Sequence, residues 1–302
     1  MSDGAAEHGE QYGDRSIPVQ RIRPGDHAFA AYDTEPGQWD VISAFVRQGL
    51  IEGEKVLVFL PPEVTGQHML GRLEARTPAL VRAWENGQLV LSSMRALIHP
   101  DRDFTAERQW QRLIEEADLA LGEGYPATRA YIDMAWVADL GTDVADVMWR
   151  ECSADHLFED RRYSEVCAYD ERWFSDDVLE RMLRAHPRTL LDTVGSLRSV
   201  SGTRQGAPAL RLIGEADVST GEDFGHAVRT ALKAGARQSL TVDLTALHFL
   251  GVGCAADLLR ISAEAGTGVT VNCTPFQAST LRRLGSDSIR TLTLTVEEVG
   301  GC

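Results

Sequence analysis

The chain has 302 residues, 43% of them hydrophobic and 25% charged, and a formal net charge of −15. That length suffices for two packed domains. No apolar run approaches the roughly 18 residues that a membrane-spanning helix needs, so a membrane protein is not expected. The charge excess lies wholly before Gly195, because the remainder carries ten acidic and ten basic residues. A surface that neutralises phosphates needs clustered basic side chains, and neither part offers a cluster. A nucleic-acid partner is therefore not expected either.

The opening stretch, MSDGAAEHGEQYGDRS, is polar and acidic and has neither the apolar core of a secretory signal nor the basic character of a transit peptide. Residues 1–19 are expected to form a disordered tail on a soluble, cytoplasmic protein. The five cysteines contain no C-x-x-C, and neither a disulfide framework nor a metal site is predicted.

From there, short apolar runs alternate with helical patterns. His27–Tyr32 (HAFAAY) reads as a strand, and Trp39, Ile42, Phe45 and Val46 recur at helical spacing up to Gly53. Lys55–Leu60 (KVLVFL) is a continuous aliphatic run, the signature of a strand buried on both faces of a parallel sheet. A helix over 66–85, a strand at Gln88–Ser92, a helix over 104–121 and a strand at Thr128–Met134 follow. A helix near 143–155, a strand at Ser164–Tyr169 and a helix over 175–185, ended by His186-Pro187, close this part. Such alternation predicts right-handed crossovers and a doubly wound, mostly parallel sheet.

All six tryptophans precede residue 174, so composition changes where charge does. Residues 192–208 read as a linker or an edge strand. From 209 to 302 the alternation resumes on a smaller scale. Strands are expected at Ala209–Gly214, Ser239–Leu244, Gly268–Asn272 and Thr291–Thr295, with helices at Gly221–Ala234, Val252–Ala265 and Pro275–Leu284. The fold class is α/β throughout.

Two segments of the second part, LRLIGEADVST (210–220) and LTVDLTALHFL (240–250), resemble a STAS domain, the fold of anti-sigma-factor antagonists. The resemblance implies a surface that docks an anti-sigma factor or switch kinase, carried here by Asp217, Gly251, Val252, Gly253 and Cys254. Phosphorylatable members place a Ser or Thr where this chain has Val252. A phosphate would sit well at that helix start, but a valine cannot accept one. Any phospho-switch must use a neighbour such as Thr245, Ser262 or Thr274.

Three segments of the first part, GDHAFAAYDTEPGQWDVISAFVRQGLIEGEKVLVFL (25–60), YIDMAW (131–136) and SEVCAYDERWFSDDVLERMLRAHPRTLL (164–191), resemble the MEDS sensory domain, and the resemblance covers 20–191. It implies a RecA/KaiC-like sheet. A phosphate loop of the G-x-x-x-x-G-K-S/T type is missing: Asp33-Thr34-Glu35-Pro36-Gly37-Gln38 stands in its place, with two carboxylates and no lysine. Those carboxylates would repel a triphosphate, so ATP hydrolysis is not expected.

What remains is the crevice beyond the carboxyl ends of the strands. Tyr32, Asp33, Asp133, Trp136, Cys167 and Tyr169 are placed there, and the resemblance adds His27 from the opposite end of its strand. An aromatic pocket with few polar tips suits a small organic ligand. With no G-x-S-x-G elbow, no H-E-x-x-H and no G-x-G-x-x-G, no catalytic residue, no cofactor and no enzyme activity are predicted. The expected role is signalling, in which a sensed molecule alters the presentation of a STAS output. The alternative is an oligomerising scaffold that senses nothing.

Overall fold

A computed structural model describes residues 15–73, 78–98, 104–204, 206–235 and 238–297. It separates into two compact units, Val19–Val194 and a second comprising the chain up to Pro18 together with Gly195 onward. No helix among the described residues is long and apolar enough to cross a membrane.

The first element is a two-residue strand, β1 (Ser16–Ile17), with both residues buried. It lies inside the stretch expected to be a disordered tail, which is a correction at residues 16–19; residues 1–14 lie outside the described set. In the larger unit, β2 (His27–Tyr32) leads into α1 (Glu35–Ile51). Thr34 caps α1 by accepting the Gly37 N–H, and Pro36 sits in the first turn, where a missing N–H costs nothing. β3 (Lys55–Phe59) is buried at every residue, as its unbroken apolar run predicts.

The helix expected over 66–85 is two, α2 (Gly66–Arg72) and α3 (Pro78–Glu85). Pro78 has no N–H with which to continue a preceding turn, so it heads a new helix instead. Then come β4 (Leu89–Ser92), α4 (Met94–Ile98), α5 (Ala106–Gly122) and β5 (Thr128–Asp133). The short α6 (Trp136–Asp139), α7 (Val144–Cys152), β6 (Tyr163–Asp170), α8 (Asp176–Ala185) and β7 (Arg188–Leu190) complete the unit. Its strands run in the order β7-β2-β6-β5-β3-β4, all parallel.

Because both faces of this sheet are covered, polar strand residues are buried and must find partners. Arg129 on β5 shows how. It is fully buried, reaches Glu52 at 2.6 Å and also pairs with Glu54. Its stem runs past Gly49 of α1, where an added Cβ would lie 2.6 Å from both Arg129 Cδ and Val56 Cγ2. The glycine thus lets the helix approach the sheet over an arginine.

In the smaller unit, β8 (Leu197–Arg204) pairs antiparallel with β9 (Ala207–Ala216). Much of the stretch left open as linker or edge strand is therefore strand. α9 (Gly221–Ala234), β10 (Leu240–Asp243), β11 (Leu247–Leu250), α10 (Val252–Glu264), β12 (Val269–Cys273), α11 (Pro275–Arg283) and β13 (Leu292–Val296) follow. The parallel order is β11-β9-β10-β12-β13. Its core joins Leu212, Val242 and Val271 of the strands to Phe224, Leu258 and Leu281 of the helices.

Candidate functional site

The residues grouped at the crevice by sequence do not share one site. Tyr32 and Asp33 line a cavity of about 460 Å³ with Asp40, Glu171 and Asp192. Asp133 stands next to it but is fully engaged. It accepts from the Tyr32 hydroxyl at 3.0 Å, from Gln38 Nε2 at 2.5 Å and from the Ala135 N–H at 2.9 Å. Burial raises its pKa against the lowering effect of those bonds. Burial and then the Asp133 carboxylate likewise raise that of Tyr32. Trp136 is packed against Phe104, ring centroids 4.8 Å apart, and is a core residue rather than a pocket wall.

The connection from β2 to α1 is only Asp33 and Thr34, and Thr34 already occupies the helix start as its cap. A phosphate-cradling loop has no chain to be built from here.

His27, Cys167 and Tyr169 lie elsewhere, in the interior. Cys167 is in mid-strand, paired in register with Phe29 and Ile132, not at the carboxyl end of β6. Alternation along β6 turns Glu165, Cys167 and Tyr169 to one face, and His27 lies in register with Glu165 on the adjacent β2. α7 brings Arg150 and Glu151 to the same place, and His186 caps the end of α8. Arg150, Glu151, Glu165, Cys167 and His186 are each at most 1% exposed, and His27 is 2% exposed.

These buried groups hold one another. Arg150 grips Glu165 with two guanidinium nitrogens, at 2.7 and 3.1 Å, and reaches Glu151 at 3.0 Å. Tyr163 donates to Glu165 at 2.6 Å and the Cys167 thiol donates to it at 3.0 Å. Glu151 Oε2 lies 3.1 Å from His27 Nε2, 3.4 Å from His186 Nε2 and 3.6 Å from Cys167 Sγ. The second oxygen of Glu151 is buried with no hydrogen bond. Phe158 stacks on the His27 ring at 4.7 Å and closes one side.

Burial pushes both glutamates up, but the Arg150 charge overcomes it and both remain below the usual carboxylate range. Burial, then the two carboxylates, push the Cys167 thiol well above its ordinary value. Burial and the neighbouring His27 hold His186 down at about 3. The thiol is thus a poor nucleophile, and the site is suited to holding charge rather than to attacking a substrate.

Sequence reasoning missed Arg150, Glu151, Glu165 and His186. One signal was present. Glu151 follows Val144 and Val147 at helical spacing, which puts a carboxylate on the buried side of α7.

In the smaller unit the expected docking residues do come together. The Gly251 N–H donates to the Ala216 carbonyl at 2.7 Å, and the Cys254 thiol donates to that of Asp217 at 3.3 Å. A Cβ on Gly251 would meet the Ala216 oxygen at 3.2 Å. Asp217 accepts from Ser219 and Thr220, which lowers its pKa. Val252 is 64% exposed, and Val218 and Phe249 are exposed as well. The hydroxyls that could substitute for it are engaged or buried: Thr245 donates to Asp243, Thr274 caps α11, and Ser262 is fully buried.

Residues 26–187 match the family described as MEDS, the methanogen/methylotroph, DcmR sensory domain. No curated protein matches the chain. Among solved structures, an anti-sigma factor antagonist from Mycobacterium paratuberculosis is 21% identical, over 33% of this chain and 86% of its own, with a TM-score of 0.29. The flagellar accessory protein FlaH from Methanocaldococcus jannaschii is 10% identical, over 64% of this chain and 80% of its own, with a TM-score of 0.39.

Proposed function

This chain belongs to the MEDS family of sensory domains, and from that premise we propose that it is a non-enzymatic signalling protein. In this reading the larger unit senses a small organic molecule, and the smaller unit is a STAS-type output that docks an anti-sigma factor or switch kinase. Sensing requires only that the molecule favour one of two states of the chain over the other.

The observation that carries the reading is the two-residue connection from β2 to α1. It leaves an open cavity beyond Tyr32 and Asp33 where an active ATPase of this topology has its phosphate loop. Asp33, Asp40, Glu171 and Asp192 line that cavity with no basic side chain among its walls, so it disfavours a polyphosphate and admits a neutral or cationic molecule. On the output side, Val218, Phe249 and Val252 are exposed, and the helix that begins at Val252 cannot be phosphorylated there. That favours a docking face read in its unmodified form.

The test is ATP turnover by the full chain with Mg²⁺. No hydrolysis above background is expected, from the wild type or from Asp133→Ala. Turnover that Asp133→Ala abolishes would overturn the proposal.

A further inference from the structure

We propose that His27, Glu151, Cys167 and His186 form a binding site for a divalent transition-metal ion of the zinc class. One donor atom from each of these four buried residues lies within 4.8 Å of all the others. Four separate segments supply them: β2, α7, β6 and the end of α8. A tetrahedral ion with bonds of about 2.0–2.3 Å has donor–donor edges of roughly 3.3–3.7 Å. Four of the six distances between donors are 3.1 Å (His27 to Glu151), 3.4 Å (His186 to Glu151), and 3.6 Å from Cys167 to both His27 and Glu151, and the two from His186 to His27 and to Cys167 are at most 4.8 Å.

Hydrogen bonding supports a cation independently of those distances. The His186 Nδ1–H donates to the Met182 carbonyl at 2.7 Å, which leaves Nε2 as the nitrogen able to ligate an ion, 3.4 Å from a Glu151 oxygen. A metal-bound histidine characteristically makes just such a bond from its other nitrogen to a backbone carbonyl. The remaining Glu151 oxygen is buried and makes no hydrogen bond, so part of its capacity to bind a positive centre is unused.

Charge closes the argument. Arg150 with Glu151 and Glu165 leaves one net negative charge in the interior; as a divalent ion binds, the Cys167 thiol that otherwise donates to Glu165 loses its proton to solvent, and the total comes to zero. The mixed donor set of two imidazoles, one thiolate and one carboxylate suits zinc-class ions and not magnesium or calcium. With all four positions filled by protein, the site holds the ion in a closed shell.

The probe is Co²⁺, titrated into chelator-stripped full-length protein. One ion per chain is expected, with the strong visible bands of a tetrahedral site and a sulfur-to-cobalt charge-transfer band. Cys167→Ser should lose that charge-transfer band, and His186→Gln should weaken binding by at least about tenfold. Cys152→Ser, changing an exposed cysteine outside the site, should leave the spectrum unchanged. Zn²⁺ alone should raise the melting temperature of the wild type, because an ion that binds only the folded state stabilises it.

No Zn²⁺-dependent rise in the wild type would overturn the proposal whether or not the variants fold. So would weak six-coordinate cobalt bands indifferent to Cys167→Ser.

Discussion

Replacing Arg150 by methionine is expected to cost the metal-free protein about 3–5 kcal/mol of stability, read from urea unfolding midpoints at neutral pH. The substitution keeps much of the apolar stem and removes the charge. It leaves Glu151 and Glu165, both at most 1% exposed, without the guanidinium that compensates them. Breaking a buried pair by removing one partner is costly because the other charge stays behind in a medium that solvates it poorly. Adding Glu165→Gln to Arg150→Met should restore part of the loss by removing one of the stranded charges. Arg184→Met, which breaks an exposed pair with Glu180, should cost no more than about 1 kcal/mol. Equal losses for Arg150→Met and Arg184→Met would show that the interior cluster is not held by charge compensation.

Acid is expected to unfold the metal-free protein from this same cluster. His186 ordinarily titrates at 6.5 and is held down at about 3 in the fold. Between those values the unfolded chain binds a proton that the folded chain refuses, so stability falls as pH falls. Glu151 and Glu165 act in the same direction, since both are held below their ordinary value of 4.5 and bind protons more readily once unfolded. The loss therefore begins near pH 6.5 and steepens below 4.5. His186 alone contributes about 3 kcal/mol by pH 4. Stability measured by urea unfolding across pH 4–8 tests this. His186→Gln should flatten the upper part of the curve and leave the steep carboxylate limb. A wild-type curve flat from 6.5 to 4 would contradict it.

The sheet of the larger unit was readable because its strands are covered on both faces. Lys55–Phe59 and Thr128–Asp133 are buried at every residue, and each interrupts a helical pattern with an unmistakable run. β8 was harder, since its residues are exposed or half-buried and its Ser, Gly and Thr content looks like a linker. The break between α2 and α3 turned on Pro78, which sits inside an otherwise helical apolar pattern.

The site was legible only by halves. His27 and Cys167 stood out as residue types in strands, but a lone polar side chain in a strand says nothing about what covers it. Their partners come from helices: Glu151 on the buried side of α7, and His186, whose cap to the Met182 carbonyl is what its sequence position suggests and whose second nitrogen is the part that matters. Spacing along the chain could not join them, because 158 residues lie between His27 and His186. Conversely, Trp136 and Tyr169 looked like pocket aromatics and are core. The cavity wall instead comes from short polar residues at the strand ends, whose types are common in any turn.

The central claim is that the larger unit binds a small organic molecule. Native mass spectrometry of the intact chain purified from its own host, set against its denatured mass, tests it most directly. The account predicts a non-covalent organic mass on the folded chain, beyond that of any metal ion, which Tyr32→Ala removes. A folded chain carrying no organic mass, assembled into a defined oligomer that small molecules do not alter, would contradict the account and favour a scaffold that senses nothing.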